Sequence, residues 1–467
     1  MKPAINYLLI TVLCFGTLKG FSQEELGFVN SNYAGVNSLF INPSSNVDSK
    51  IFIDVHFIGA DAFVHNNLAY SPKPDYSPLT GNFPTLLINE KQQNKRGFAK
   101  LDLIGPSVAV SWDRHSFGLF TRFRTYMDAR MTRSLFTLAI KKFDYSSFNG
   151  KNFNEKASAN TVSWFETGLS YGYMFKYSGD ETIDIGINIK RLIGYNSSSI
   201  TLSQFDFIYN KKKDLFVNEV DGGYRFVEPA WGVGKGWGVD LGVNYQKKLE
   251  GITDYRPNTI AGGCKHIDYK FKIGLSFLDI GAFKVKKNAL LQEFSYDAQP
   301  FKFDSSRTKT FSDVDKLIKT TLTNNNIQQT TGTSYWALLP FALSAQFDYN
   351  FENNFYLNFT TVNSIKITYQ TKRIDVIAIT PRYERKRFEI AVPVSLVDYR
   401  YPQVGLAFRF GNYFIIGSDR IDSLFGKIRD VYGADLYFHI KMAFFRKCKS
   451  AKKRYKTGPR PNCPAYS

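Results

Sequence analysis

Cysteine, histidine and methionine are scarce in this 467-residue chain, at 4, 5 and 5. No apolar run of about 20 residues follows the N-terminus, which excludes a polytopic helical membrane protein. The histidines (His56, His65, His115, His266 and His439) have no ligand-spaced partner at i+2 or i+4, and the cysteines form no CxxC pair. A metal centre is therefore not expected. Catalytic motifs are equally thin. Gly168-Leu169-Ser170-Tyr171-Gly172 fits the hydrolase elbow pattern, but the elbow needs a sharp strand-to-helix turn, and here alternation runs on from Phe165 to Tyr177. Gly232-Val233-Gly234-Lys235-Gly236 imitates a phosphate loop, yet GVDLGVNYQ follows where a helix is required. The chain reads as a non-enzyme without cofactor.

What is abundant is aromatic: 42 Phe, 28 Tyr and 5 Trp, with 34 Gly. Aromatic and glycine enrichment without excess hydrophobicity points to sheet. Residues 1–22 read as an export signal, with Lys2 ahead of an apolar stretch from Ala4 to Leu18. Export would leave Cys264, Cys448 and Cys463, an odd number, where disulfides can form. Leu13 before Cys14 departs from the small residue a lipidation motif needs. Of the net charge of +19, the signal carries 2 and the stretch from Arg446 to Ser467 carries 8, leaving +9 for the body. That basic tail, residues 446–467, lacks hydrophobic periodicity and reads as a solvated appendage. After export its partner would be an envelope surface or an acidic protein, with no nucleic acid partner expected.

Period two dominates the body. In IDIGINIK, Ile183, Ile185, Ile187 and Ile189 share one face, and Asp184, Gly186, Asn188 and Lys190 the other. Trp237, Val239, Leu241, Val243 and Tyr245 alternate likewise with Gly238, Asp240, Gly242, Asn244 and Gln246. Similar rows occur around Phe117–Arg124, Tyr269–Phe277, Leu343–Asn350 and Leu436–Phe444. Many exceed the roughly 9 to 11 residues of a tilted membrane strand. Fourteen strands are predicted, at 51–68, 99–112, 116–129, 160–177, 182–201, 235–247, 267–285, 339–351, 354–363, 372–384, 387–396, 403–410, 413–419 and 434–445. Long loops alternate with short turns, which predicts an all-β transmembrane antiparallel barrel in the outer membrane with both termini periplasmic. The 248–266 link is long for a turn. Within the longest loop, 286–338, the spacing at Val314, Leu317, Ile318 and Leu322 predicts a helix from Asp313 to Leu322, with Ser312 as its cap.

The organisation expected is a signal at 1–22, a plug at 23–49, the barrel at 50–445 and the tail at 446–467. Arg122, Arg124, Asp184, Lys190, Asp240, Lys270, Lys272, Asp348, His439 and Lys441 are expected to face the lumen. There they would pair with one another, or Arg122 and Arg124 would bind a carboxylate. Inward positions such as Asn188 are expected to tolerate charge, and outward ones such as Ile187 to refuse it.

The segment YAGVNSLFINPSSN at Tyr33–Asn46, ahead of such a barrel, resembles the fatty-acid-transporter (FadL-like) outer-membrane barrels, whose hatch carries an Asn-Pro-Ala motif. This chain has Asn42-Pro43-Ser44. The rows LIGPSVAVSW, SFGLFTRFRTY, GKGWGVDLGVNYQ and IGLSFLDIGAFK look like a Bacteroidota branch of that superfamily, related to PorV-like barrels. The resemblance implies a plugged lumen and passive transport of a hydrophobic or amphipathic small molecule, in contact with outer-membrane lipid. Accessory barrels of envelope machines share the scaffold, so envelope protein partners and a non-enzymatic subunit role form the alternative.

Overall fold

The computed structural model describes residues 24–70, 87–89, 92–140, 152–209, 215–250, 255–259, 266–303, 311–325, 327–365, 367, 369–421 and 431–446. The expected export signal, all four cysteines, residues 71–86 of the first long loop and the tail beyond Arg446 lie outside them.

The wall has fourteen antiparallel strands, several broken into segments. They are β1 (Ile53–Asn66), β2 (Asn94–Ile104 and Ser107–Trp112), β3 (His115–Thr132), β4 (Asn152–Ser178) and β5 (Glu181–Tyr209). Next come β6 (Leu215–Phe226 and Gly234–Lys248), β7 (Tyr269–Val285 and Leu290–Phe303) and β8 (Gln328–Gly332, Tyr335–Leu338 and Ala342–Asn350). The rest are β9 (Phe355–Ser364), β10 (Val376–Arg385), β11 (Phe388–Ala391 and Val394–Val397), β12 (Tyr401–Val404 and Leu406–Phe410), β13 (Phe414–Ser418) and β14 (Gly433–Phe444). Each pairs with its neighbours, and β1 pairs with β14 from Ile53↔Phe444 to His65↔Gly433. That seam leaves no open edge, which is how a sheet survives in lipid.

The outward face is apolar in a band. Leu241, Ile185 and Leu275 are exposed at mid-height. Trp112, Phe351, Phe355, Phe414 and Phe444 ring the short-turn end, and Trp231, Trp237 and Trp336 mark the other margin. From Lys247 to Trp237 on β6, a strand tilted as in such barrels climbs roughly 25 Å, the height of a lipid-facing band. Among the described residues no helix is long and apolar enough to cross a membrane, so the strands do the crossing.

The turn side is closed by tight connections whose residues take left-handed backbone, including Asp113 (φ 60), Gly179 (φ 63) and Gly411 (φ 62). The opposite side is taller than the sequence predicts. Leu215–Phe226 and Leu290–Phe303, expected as loop, continue β6 and β7 upward, beside the long hairpin of β4 and β5. Helix α1 (Arg133–Ile140) follows β3, and α2 (Phe311–Asn324) covers the prolonged sheet through Leu322, against Val217 and Val220. Helix α2 starts at Phe311, so Ser312 lies inside it rather than capping it.

A lumen filled from both ends

A fourteen-stranded wall is wider than the roughly eight-stranded barrel that side chains alone fill. Residues 24–50 occupy the space, forming two short 3-10 turns, Gly35–Phe40 and Pro43–Asn46. We call them the hatch. Asn42 is extended (φ −158) and caps the second turn: its Oδ1 accepts from Ser44 N (3.1 Å) and Ser44 Oγ (2.7 Å). Its Nδ2 donates to Val243 O, Asn244 Oδ1 and Gln346 Oε1, each at 3.2 Å. Pro43 holds the first helical position, where its fixed φ fits and no N–H is needed.

The wall makes room for this turn with a row of small inward residues: Ser116, Gly172, Gly186, Gly242, Ser276 and Ser344 are partners across six successive strands from β3 to β8, and Ser111 of β2 continues the row opposite Ser116. A Cβ on Gly186 would stand 2.4 Å from Ser44 N, and one on Gly242 only 2.1 Å from Asn42 Oδ1. The backbone of the hatch is bonded to the same region: Asn188 Nδ2 donates to Leu39 O (2.9 Å), Ser276 Oγ to Ile41 O (2.6 Å) and Ser111 Oγ to Val47 O (2.8 Å).

The first half of the hatch is tied to the end of the chain. Leu26 N donates to Asp419 (2.8 Å), Ser31 Oγ to Glu389 (2.7 Å) and Asn32 Nδ2 to Glu384 (2.8 Å). Lys441 donates to Tyr33 O and Ala34 O at 2.7 and 2.8 Å, and His439 Nε2 lies 3.1 Å from Glu25. Leu26, Val29 and Ile41 pack on Ala342, Val362, Val376 and Ala378, while Phe28 and Ala34 pack on Ala391, Ala407, Ile415 and Tyr437.

From the long-loop side a second insert reaches down. The wall strand expected from 372 starts at Val376, because Thr371, Lys372 and Arg373 turn inward and are buried. Arg373 grips Glu24 of the hatch with two of its three guanidinium nitrogens, Nε–Oε1 2.8 Å and Nη2–Oε2 2.7 Å, and its Nη1 donates to Asp279 at 3.3 Å. Burial pushes the Glu24 carboxyl up, but the charges of Arg373 and Lys100 outweigh it and hold Glu24 below the usual carboxylate range. Around this contact lies a layer of buried ion pairs. Arg124 is bidentate on Asp279 (2.7 and 2.8 Å), and Lys190 binds Asp240 and Asp279 (2.6 Å each). Arg122 pairs with Asp102 and Glu166, and Lys100 with Asp61 at 2.7 Å. The cleft among Glu24, Asp61, Asp102 and Arg373 has room for about one water molecule.

Above the charged layer the inner wall becomes apolar. Tyr126, Val162, Trp164, Leu192, Phe283, Val285, Tyr335 and Leu339 form one buried cluster with Val227 and Val233. Trp164 Nε1 donates to Glu166 at 2.7 Å, so the indole spans the boundary between the two layers.

The structure gathers Arg122, Arg124, Asp184, Lys190, Asp240, Asp348, His439 and Lys441 inside the wall, all buried, with Lys272 partly buried beside the hatch. Lys270 is different. A bulge in the β6–β7 pairing, where Lys247 faces Phe271 but Lys248 faces Tyr269, breaks the alternation, and Lys270 pairs with exposed Glu352 at the rim (3.1 Å). A carboxylate site on Arg122 and Arg124 is likewise already filled, since wall acids occupy both guanidinium groups. Sequence reasoning missed Arg382, Arg409, Asp279, Arg373 and Glu24. Arg382 and Glu384 stand on the same period-two polar face as the residues it found. Arg373 and Glu24 give no such signal, since neither belongs to the wall. Among the described residues no three His, Cys, Asp or Glu side chains are grouped to hold a metal ion.

A closed wall, a lipid-height apolar band and an occupied lumen define a transmembrane antiparallel β-barrel of the outer-membrane type. The chain belongs to DUF5723, a family of unknown function whose model matches residues 43–419. Comparison with curated proteins finds no match. Among solved structures it is similar to the toluene transporter TbuX of Ralstonia pickettii, with a TM-score of 0.40 and 10% identity over 92% of this chain and 100% of that one. It is similar also to the toluene transporter TodX of Pseudomonas putida (TM-score 0.40, 10% identity, 91% and 96% covered). A third is the CymD monoaromatic hydrocarbon channel (TM-score 0.40, 10% identity, 92% and 99% covered).

Proposed function

We propose that this protein is a passive outer-membrane channel for hydrophobic or amphipathic small molecules, held shut at rest by the hatch and by the insert that carries Arg373. The observation that carries the reading is the inward aromatic and aliphatic layer of Trp164, Tyr126, Leu192, Phe283 and Tyr335. A barrel that passed only water and ions would gain nothing from burying such residues inside its wall, whereas an apolar solute needs a largely apolar lining with a few polar groups to orient it. In this reading the solute enters that layer from the long-loop side, which faces outward, and the hatch must yield before it leaves on the periplasmic side.

Uptake of a radiolabelled monoaromatic hydrocarbon by cells making the protein tests this reading. Expressing cells should accumulate it faster than cells without the protein, and Leu192→Gln, with the barrel still folded, should lose most of that gain. No acceleration, or equal entry of a hydrophilic solute of the same size, overturns the proposal. Stoichiometric protein partners on mild purification, together with no uptake, would favour a subunit of an envelope machine.

A further inference from the structure

We propose that the cavity between Lys272 and the hatch binds a small monovalent anion, chloride in size, which ties the wall to residues 30–45. This goes beyond the transport reading and does not depend on it. The other cations at hatch level are matched: Lys50 with Asp268, Lys248 with Asp48, Arg382 with Asp348, Arg409 with Glu389 and Lys441 with Asp54. Buried charge without a counter-charge is costly, so such matching is the rule. Lys272 breaks it. Among the described residues it has no hydrogen bond and no ion pair, and its ammonium stands 5.1 Å over the Tyr269 ring.

The reason is local competition. Lys272 lies directly across from Asp348 in the β7–β8 ladder, but Asp348 gives both oxygens to Arg382 (2.8 and 2.5 Å) and also accepts from Tyr269. On the other side its partner is Gln246, whose oxygen is taken by Lys248 at 3.1 Å. The amine is left facing a cavity with room for one or two water molecules, lined by Asn244, Gln246 and Gln346 of the wall and by Ser45 and Asp48 of the hatch, the Asp48 carboxylate being engaged by Lys248 and Tyr255. Carboxamides and hydroxyls donate to anions as readily as to carbonyls. The space admits a single monatomic ion and excludes phosphate or sulfate.

Two measurements on the full-length protein in detergent test the site. In crystals grown with bromide replacing chloride, an anomalous peak is expected beside Lys272 Nζ within the cavity. In solution, chloride should raise the thermal midpoint by a few degrees over gluconate at equal ionic strength, and Lys272→Met should abolish the difference while Lys272→Arg keeps part of it. Absence of the peak, or the same chloride response in Lys272→Met as in the wild type, overturns the proposal. Should Lys272→Met fail to fold, the bromide peak in the wild type decides.

Discussion

At the scale of single residues, the fit between Asn42 and the glycine row leaves no slack. Gly242→Ala puts a methyl group 2.1 Å from Asn42 Oδ1 and 2.8 Å from Pro43 Cδ, contacts that neither the capped Asn nor the proline ring can relieve by rotation. Overpacking of this kind costs about 1–3 kcal/mol. Limited proteolysis should therefore find the hatch cleaved faster in Gly242→Ala than in the wild type, with the wall intact. On the adjacent strand, Ile187 faces lipid, and Ile187→Arg should destabilise the barrel by roughly 2–4 kcal/mol near the midplane, measured by urea unfolding in liposomes. Asn188, one residue on, is no safer for a charge, contrary to what alternation alone suggests. It is fully buried, with its amide on Leu39 O and Asp240, so an arginine there would have to displace the hatch.

At the scale of elements, hatch and descending insert are joined, among the described residues, by the two-pronged Glu24–Arg373 ion pair. A double-mutant cycle on Glu24→Gln and Arg373→Gln should give a coupling of a few kcal/mol, since removing one partner strands the other in a buried site. Its pH dependence follows from sign. Glu24 is held below the ordinary carboxylate value of about 4.3, so the folded state binds that proton more weakly than the unfolded one does. The stabilisation is complete above the ordinary value and is lost as pH falls through the lowered one. The coupling read from that cycle should thus be the same at neutral and at mildly acid pH, and fall only as pH drops through the lowered value of Glu24. Which elements the sequence discloses follows the same physics. Strands such as β5 and β6 at lipid height must show apolar residues outward and polar ones inward, so IDIGINIK and WGVDLGVNYQ are readable. Leu215–Phe226 and Leu290–Phe303 stand above the band, have no lipid to face, and lack the pattern. Thr371–Asp375 are written like the start of a strand, and the pull of Glu24 and Asp279 on Arg373, together with Asp128 accepting from Lys372 N, takes them out of the wall.

At the scale of the whole molecule, the hatch is bonded to nearly every part of the wall, and the two clefts described beside it hold no more than a water or two each. Planar bilayers holding the wild type should therefore show little conductance, and deletion of residues 24–40, with residues 1–23 and the wall kept, should raise it. An unchanged conductance in a folded deletion variant would mean that the wall residues and the insert close the lumen by themselves. The orientation has its own check: Gln328→Cys, on the long-loop side, should react with an impermeant maleimide in intact cells, and Glu352→Cys, in a tight turn, only after the outer membrane is opened.

The hatch is divided in its loyalties, and this dictates an order of construction. The hydrogen bonds that hold residues 36–47 come mostly from β1, β2 and β5 to β8, through Asp54, Ser111, Asn188, Val243, Ser276 and Gln346. Residues 24–34 are held mostly by Arg373 and by groups from β10 onward, through Glu384, Glu389, Asp419, His439 and Lys441, with Lys100 of β2 and Thr360 of β9 as the earlier contacts. The earliest described residues thus wait for wall strands made much later. A biogenesis intermediate ending before the insert, without the last five strands, would have its Asn42 turn seated and residues 24–34 without most of their partners, so the final β1–β14 seam and the final seating of those residues become one event.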